Sequence, residues 1–372
     1  MRRRSPFAAL VLLFAGCLAP MAPAVLIDGR VDVRLRTTQR HGLFLTNLRL
    51  DNVDAGPFVL DTGSYSVVLD VELARRLGLR YSREPHQYGH KGGFATVRSL
   101  QAGPVTLRNT AVGVLDLSAI APALGERLAG ILGYPFFAET VVEFDYGSQS
   151  VSCFARAAYH LPEAQWQPLI LRERAPAVVA RLDGNIEGTF MLDTGSTATV
   201  HLSPAFLEKH SRLQIRDVRR TRSIGIGGER EASEGRIGWF EVGGRRFQGP
   251  RVVFSRTATD SDFEGTASRV HPAFDGIIGY GFMRHFVVVF NYPAAKIAFL
   301  PVRPPRPGGL AEHHPLEGLR VADAAALAVA HRPRLQELIH PLALADLRAV
   351  GLERATLRAE RAADVHEYVG VE

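Results

Sequence analysis

Cysteine is nearly absent from this chain: among 372 residues only Cys17 and Cys153 occur. That excludes a disulfide-stapled scaffold. No Cys/His cluster has metal-ligand spacing, so no metal and no organic cofactor is expected. Long apolar runs are also lacking. The stretch 7–18 is the most apolar one near the N-terminus, and it falls short of the ~20 residues a spanning helix needs. Blocks of like charge are missing as well. The formal net charge is +6, and Arg219, Arg220 and Arg222 are followed by Glu229, Glu231 and Glu234. A nucleic-acid binder would carry a concentrated basic stripe instead. Histidines occur at His86, His90, His201, His285, His313 and His314, yet no Gly-x-Ser-x-Gly nucleophile motif accompanies them. Ile224-Gly225-Ile226-Gly227-Gly228 sits in no βαβ pattern, which removes a dinucleotide loop.

What is present begins with an export signal. Arg2, Arg3 and Arg4 precede the apolar stretch, and Ala22-Pro23-Ala24 offers a small-x-small cleavage site. Residues 1–24 are thus expected to be a signal peptide directing the chain to a bacterial envelope or periplasm. A second reading stays open: Leu13-Phe14-Ala15-Gly16-Cys17 resembles a lipobox, in which Cys17 would carry a lipid anchor. Because residues 1–24 hold three Arg and no acid, their removal leaves a charge of +3. Residues 25–40 are open between a short pro-segment and a first strand.

The chain repeats itself, and the repeat decides its reading. Leu60-Asp61-Thr62-Gly63-Ser64 recurs as Leu192-Asp193-Thr194-Gly195-Ser196, 132 residues later. Gly130-Ile131-Leu132-Gly133-Tyr134 recurs as Gly276-Ile277-Ile278-Gly279-Tyr280, 146 residues later. Extended to Tyr146 and Tyr292, this second pair holds nine identities in seventeen positions. The order and spacing argue for a duplicated unit. In each copy a hairpin leads into the Asp-Thr-Gly: strand 44–50, turn 51–56 and strand 58–60 in the first, strand 178–182, turn 183–185 and strand 189–192 in the second. A short strand and a capped helix follow, with Asp70 and Ser203-Pro204 as helix starts. Each copy then has a Gly-rich stretch, 89–93 and 225–228, flanked by alternating residues and expected to form a projecting hairpin. The fold class is all-β in two lobes, 25–158 and 159–302, joined within 156–167. The 35 glycines and 22 prolines of the chain suit such a turn-rich architecture.

Two Asp-Thr-Gly-Ser motifs after apolar strands, each followed by Ile-Leu-Gly or Ile-Ile-Gly 72 and 86 residues on, resemble the aspartic peptidases. The short lobe resembles the retropepsin-like unit found in bacterial exported aspartyl proteases, and the two-lobed chain is analogous to pepsin. The resemblance spans about residues 30–302. It implies two acid-protease lobes about a pseudo-two-fold axis, with Asp61 and Asp193 as a catalytic pair that shares one proton, activates a water and hydrolyses a peptide bond. It further implies that the Thr62 and Thr194 hydroxyls reach across the axis, that Gly63 and Gly195 allow close approach of the loops, and that Gly133 and Gly279 pack beneath them. Ser64 and Ser196 are expected to donate to the carboxylates, favouring the ionised form and an acidic working range. The two Gly-rich hairpins become candidate flaps over an extended polypeptide substrate, with Tyr88 beside the first. One chain supplies both aspartates, so a monomer is expected. The rival reading is a non-catalytic peptide-binding envelope protein on the same scaffold.

From residue 303 the composition changes to a Pro-rich linker and a short α-helical C-terminal tail through 372, whose role the residues leave open. Cys153 is expected to be buried as a small hydrophobe.

Overall fold

The computed structural model describes residues 25–26, 32–35, 37–82, 92–103, 105–172, 174–226, 228–255 and 274–302. The expectations for the export signal, Cys17, Tyr88, most of the first Gly-rich stretch and the tail from 303 lie outside these residues. Among the described residues strands predominate, and helices are confined to short segments between them.

The first lobe is built around the hairpin Leu43–Leu50 and Val53–Leu60. Its turn is shorter than the expected 51–56. Only Asp51 and Asn52 form it, both with positive φ, a conformation that Asp and Asn tolerate better than most residues. The remainder of 53–56 is strand with a bulge: Leu48 faces Gly56 while Arg49 already faces Asp54, and Gly56 absorbs the kink at φ 101°. Residues 37–40 are the strand Thr37–Arg40, paired to Leu43–Leu50.

The strand Gly130–Leu132 slots between the two segments that flank the first Asp-Thr-Gly. It runs parallel to Val53–Leu60, with Phe58 facing Gly130, and antiparallel to Val67–Asp70, with Val68 facing Ile131. A Cβ on Gly130 would sit 2.2 Å from the Phe58 ring and 2.2 Å from the Val68 carbonyl, so a side chain there would push the strands apart. The second lobe repeats the arrangement. Gly276–Ile278 lies parallel to Ile186–Leu192 and antiparallel to Val200–Leu202, and a Cβ on Gly276 would lie 2.2 Å from the His201 carbonyl. The helices after each motif start as the sequence predicts. The Asp70 carboxylate accepts from the Glu72 N–H at 3.0 Å ahead of Val71–Arg76. Ser203 Oγ accepts from the Phe206 N–H at 3.1 Å ahead of Pro204–Lys209.

A third sheet, not legible as such in the sequence, joins the lobes. Its central strands are Thr140–Asp145 and Phe286–Asn291, paired antiparallel, with Ser150–Ala155 and Asp32–Arg34 on one side and Lys296–Pro301 and Gln167–Pro168 on the other. The register has a consequence. Glu143 faces Val289, and these are equivalent positions of the repeat. The pseudo-two-fold axis therefore passes through this pair. Asp145 and Asn291, also equivalent, cap the turns that follow, accepting from Gly147 N–H at 3.0 Å and Ala294 N–H at 3.1 Å. One continuous apolar core runs from Leu35 through both lobes to Phe299. The contact of Phe144 with Phe290, 5.8 Å between ring centroids, is among those that tie its halves together. Cys153 lies inside it at 1% exposure, and burial pushes its thiol well above the usual range.

Candidate active site

Each lobe delivers its aspartate at the end of a strand whose last three residues are buried. The Asp61 N–H donates to the Leu132 carbonyl at 3.1 Å and the Asp193 N–H to the Ile278 carbonyl at 2.9 Å, which fixes both loops onto the inserted Gly strands. The first residues of the short helices after those strands hold the loops from below. Tyr134 N–H donates to the Ser64 carbonyl and Tyr280 N–H to the Ser196 carbonyl, both at 2.8 Å. Gly133 and Gly279 make this approach feasible. A Cβ on Gly133 would lie 2.3 Å from the Ser66 carbonyl, and one on Gly279 2.6 Å from those of Ser196 and Ala198.

The two loops are locked together by a symmetric exchange. Thr62 Oγ1 donates to the Leu192 carbonyl at 2.8 Å and accepts from the Thr194 N–H at 3.0 Å. Thr194 Oγ1 donates to the Leu60 carbonyl at 2.7 Å and accepts from the Thr62 N–H at 3.0 Å. A hydroxyl has one donor proton and two lone pairs. Each threonine therefore satisfies two backbone groups of the opposite lobe in a water-excluded setting, where hydrogen bonds are electrostatically stronger.

The lock brings the carboxyl groups of Asp61 and Asp193 into mutual hydrogen-bond contact. Gly63 and Gly195 are packed against the opposite aspartates. A Cβ on either would stand 2.7 Å from the other lobe's carboxyl carbon. Backbone N–H groups face the carboxylates from their own loops. Gly63 N–H donates to Asp61 Oδ1 at 2.8 Å, Ser64 N–H donates to the same oxygen at 3.2 Å, and Gly195 N–H donates to Asp193 Oδ1 at 2.8 Å.

For Ser64 the expected serine contribution is corrected here. Ser64 Oγ donates to the Ser66 carbonyl at 2.9 Å, so its single hydroxyl proton is directed away from Asp61. Both serines also face the carboxylates with their backbone N–H groups. The expected lowering of the carboxyl titration is corrected with it. Backbone donors do favour ionisation, but burial opposes them and prevails. Asp61 and Asp193 are only 7% and 9% exposed. Burial, followed by the neighbouring Asp193 carboxylate, raises Asp61 well above the usual carboxylate range, and burial raises Asp193. Two carboxyl groups in contact cannot both ionise cheaply, so the titration belongs to the pair, which retains one proton to higher pH than a free aspartate does.

The second Gly-rich stretch is the tip of a long hairpin, Arg216–Gly225 with Gly228–Arg236. Its root is held by Glu234, 5% exposed, which accepts from Arg219 at 3.0 Å and from Arg251 at 2.7 Å. Its other end leaves its own lobe. Ile226 packs with Ile120 against an apolar cluster of the first lobe that includes Leu43, Leu45, Val59, Leu117 and Ile131. Val59 and Ile131 are each two residues ahead of the active loop's Asp61 and Gly133. Of the first stretch, Gly92 and Gly93 open the strand Gly92–Ala102. His201 stands on Val200–Leu202, and burial pushes its imidazole down to about 4, so the ring is neutral across the physiological range.

All of Asp61, Thr62, Gly63, Ser64, Gly133 and their counterparts Asp193, Thr194, Gly195, Ser196, Gly279 thus converge at one place. Sequence reasoning missed the role of Gly130 and Gly276, although both opened the matched motif. It also missed the carbonyls of Leu60 and Leu192, for which no side-chain signal exists.

Against known proteins, a family model described as aspartyl protease matches residues 46–136 and 178–282, just over half of the chain. No curated protein matches it. Among solved structures, a retropepsin-like aspartic protease from Rickettsia conorii is 23% identical over 33% of this chain and 88% of its own, with a TM-score of 0.24.

Proposed function

The chain belongs to the aspartyl protease family, and from that premise we propose that it is an aspartic endopeptidase in which Asp61 and Asp193 together activate one water for peptide-bond hydrolysis. The observation that carries the reading is the pair itself: one buried carboxyl group from each lobe, in contact, each fixed by its own backbone donors and by the crossed threonines. A singly protonated pair holds both groups the reaction needs. The ionised carboxylate takes a proton from water as it attacks the scissile carbonyl. The protonated one donates to the carbonyl oxygen as it becomes a hydroxyl. The tetrahedral species then collapses, with the proton passed to the leaving nitrogen. Because burial and mutual repulsion hold the pair's proton on, the competent form persists above the ordinary carboxylate range.

The polypeptide would lie extended between the lobes, with the hairpin 216–236 as the flap that opens to admit it. The substrate chain binds as a strand through its backbone, and a monomer suffices because one chain supplies both carboxyl groups. Export to a bacterial envelope, with the anchor at Cys17 or without it, belongs to the same proposal and rests on residues 1–24.

The test is cleavage of a diverse peptide library by the purified protein from pH 3 to pH 8, beside Asp61→Asn and Asp193→Asn. Turnover in the unaltered protein, lost by at least about a thousandfold in each variant, is the expected result. No cleavage at any pH by a folded protein that still binds extended peptides would instead make it a peptide-binding protein on this scaffold.

A further inference from the structure

Two of the identities shared by 130–146 and 276–292 are tyrosines: Tyr134 matches Tyr280, and Tyr146 matches Tyr292. The fold crosses these pairs. The Tyr146 ring of the first lobe lies 5.7 Å from that of Tyr280, and the Tyr292 ring of the second lies 6.0 Å from that of Tyr134. Tyr134 and Tyr280 are the residues whose N–H groups hold the active loops at Ser64 and Ser196. Each crossed ring pair is therefore attached to one of the loops of the carboxyl pair.

Tyr146 and Tyr292 are 7% and 4% exposed, and their hydroxyl oxygens are buried with no hydrogen-bond partner among the described residues. Burial pushes both phenols far above their ordinary range, so both are neutral and able to donate at any working pH. The charges of Asp61 and Asp193 both bear on the Tyr292 hydroxyl, and that of Asp193 bears on the Tyr146 hydroxyl.

Packing accounts for the rings. Tyr146 sits 5.1 Å from Phe44, and Tyr292 stacks on Phe137 at 5.6 Å. Packing does not account for the oxygens. A buried hydroxyl left without a partner is costly, and phenylalanine would fill the same space without that cost. Two copies that differ at eight of these seventeen positions nonetheless keep the hydroxyl on both sides of the axis.

We propose that Tyr146 and Tyr292 are positioning residues of the carboxyl pair, each hydroxyl anchoring one buried water beneath the active loops and donating through it toward Asp61 and Asp193. The opposite phenol of each crossed pair supplies the water with a further polar neighbour, as an internal water requires. This arrangement favours the ionised form of the pair and limits how far burial raises its titration. The inference deepens the peptidase reading but concerns the titration of the pair, which can be read without turnover.

The experiment is a carbon-13 titration of the aspartate carboxyl groups in the full-length protein, in Tyr146→Phe, in Tyr292→Phe and in the double variant. Signals are assigned with Asp61→Asn and Asp193→Asn. The expected result is an upward move of the pair's titration by roughly half a pH unit or more in each single variant, and further in the double. An unmoved titration overturns the proposal, whatever happens to stability. Should a variant not fold, a high-resolution crystal structure of the unaltered protein decides. Ordered water within hydrogen-bond distance of both hydroxyls is expected, and its absence from clear density beside them overturns the assignment. A protein without peptidase activity whose titration moves as described would sink the functional reading and leave this one standing.

Discussion

The carboxyl pair is held together against its own electrostatics, which makes a stability prediction possible at the scale of single residues. A carboxyl group whose pKa is raised in the folded state binds a proton there over a pH range in which the unfolded chain has already released it. Folding stability therefore falls as pH rises from the ordinary carboxylate range toward the raised value of the pair, and the loss is complete above it. Asp61→Asn and Asp193→Asn each remove one of the two titrating groups and so lessen that loss. Each variant is expected to melt at a higher temperature than the unaltered protein near pH 7, with the gain shrinking toward zero near pH 3. A calorimetric series across that range checks it. Equal or lower melting temperatures at neutral pH would mean that the pair is not strained by burial. With the expected rise, the same substitutions combine lost turnover with gained stability, as expected where activity requires a destabilised arrangement.

Among the elements, the hairpin 216–236 has the clearest consequence. It is anchored at its root by Glu234 between Arg219 and Arg251, and its far end rests on the first lobe through Ile226. Partial burial of one isoleucine contributes on the order of 1 kcal/mol, which is about fivefold in an equilibrium. Ile226→Ser is therefore expected to raise backbone hydrogen exchange in 216–236 and to raise KM about fivefold, with a smaller change in kcat. Exchange and KM both unchanged would show that the contact does not hold the hairpin down. The inserted Gly strands make the opposite case, because they admit almost no change. Gly130 and Gly276 meet backbone carbonyls at 2.2 Å from a hypothetical Cβ, so alanine there displaces the strand that positions the aspartate.

For the whole molecule, the lobes are not independent beads on a chain. They share the six-stranded sheet, a continuous apolar core and the crossed threonines. Separating them would expose the Thr140–Asp145 and Phe286–Asn291 strands, which are buried along their whole length, and would orphan the carbonyls of Leu60 and Leu192. The expected outcome is one cooperative thermal transition with matching calorimetric and van't Hoff enthalpies. Two resolved transitions would show that each lobe folds on its own and that the shared sheet contributes little.

Much of this was already determined by the order of residues. Duplication was visible because the motifs around Asp61 and Asp193 are short, contiguous and tightly constrained by local geometry. The helix starts at Asp70 and Ser203 followed for the same reason, since a cap involves a side chain and a backbone N–H two or three residues away. The tertiary structure alone decided what depends on distant partners. The turn after Leu50 shortened because strand pairing drew Val53 to Ala55 into the ladder. Ser64 turned its hydroxyl to Ser66, a neighbour whose carbonyl direction depends on how the loop sits above Gly133. The sign of the carboxyl shift followed from burial between two lobes, which no local motif encodes. The pairing of Thr140–Asp145 with Phe286–Asn291, and the crossing of Tyr146 with Tyr280 and Tyr134 with Tyr292, link residues more than a hundred positions apart. Such contacts exist only once the two copies close about their shared axis.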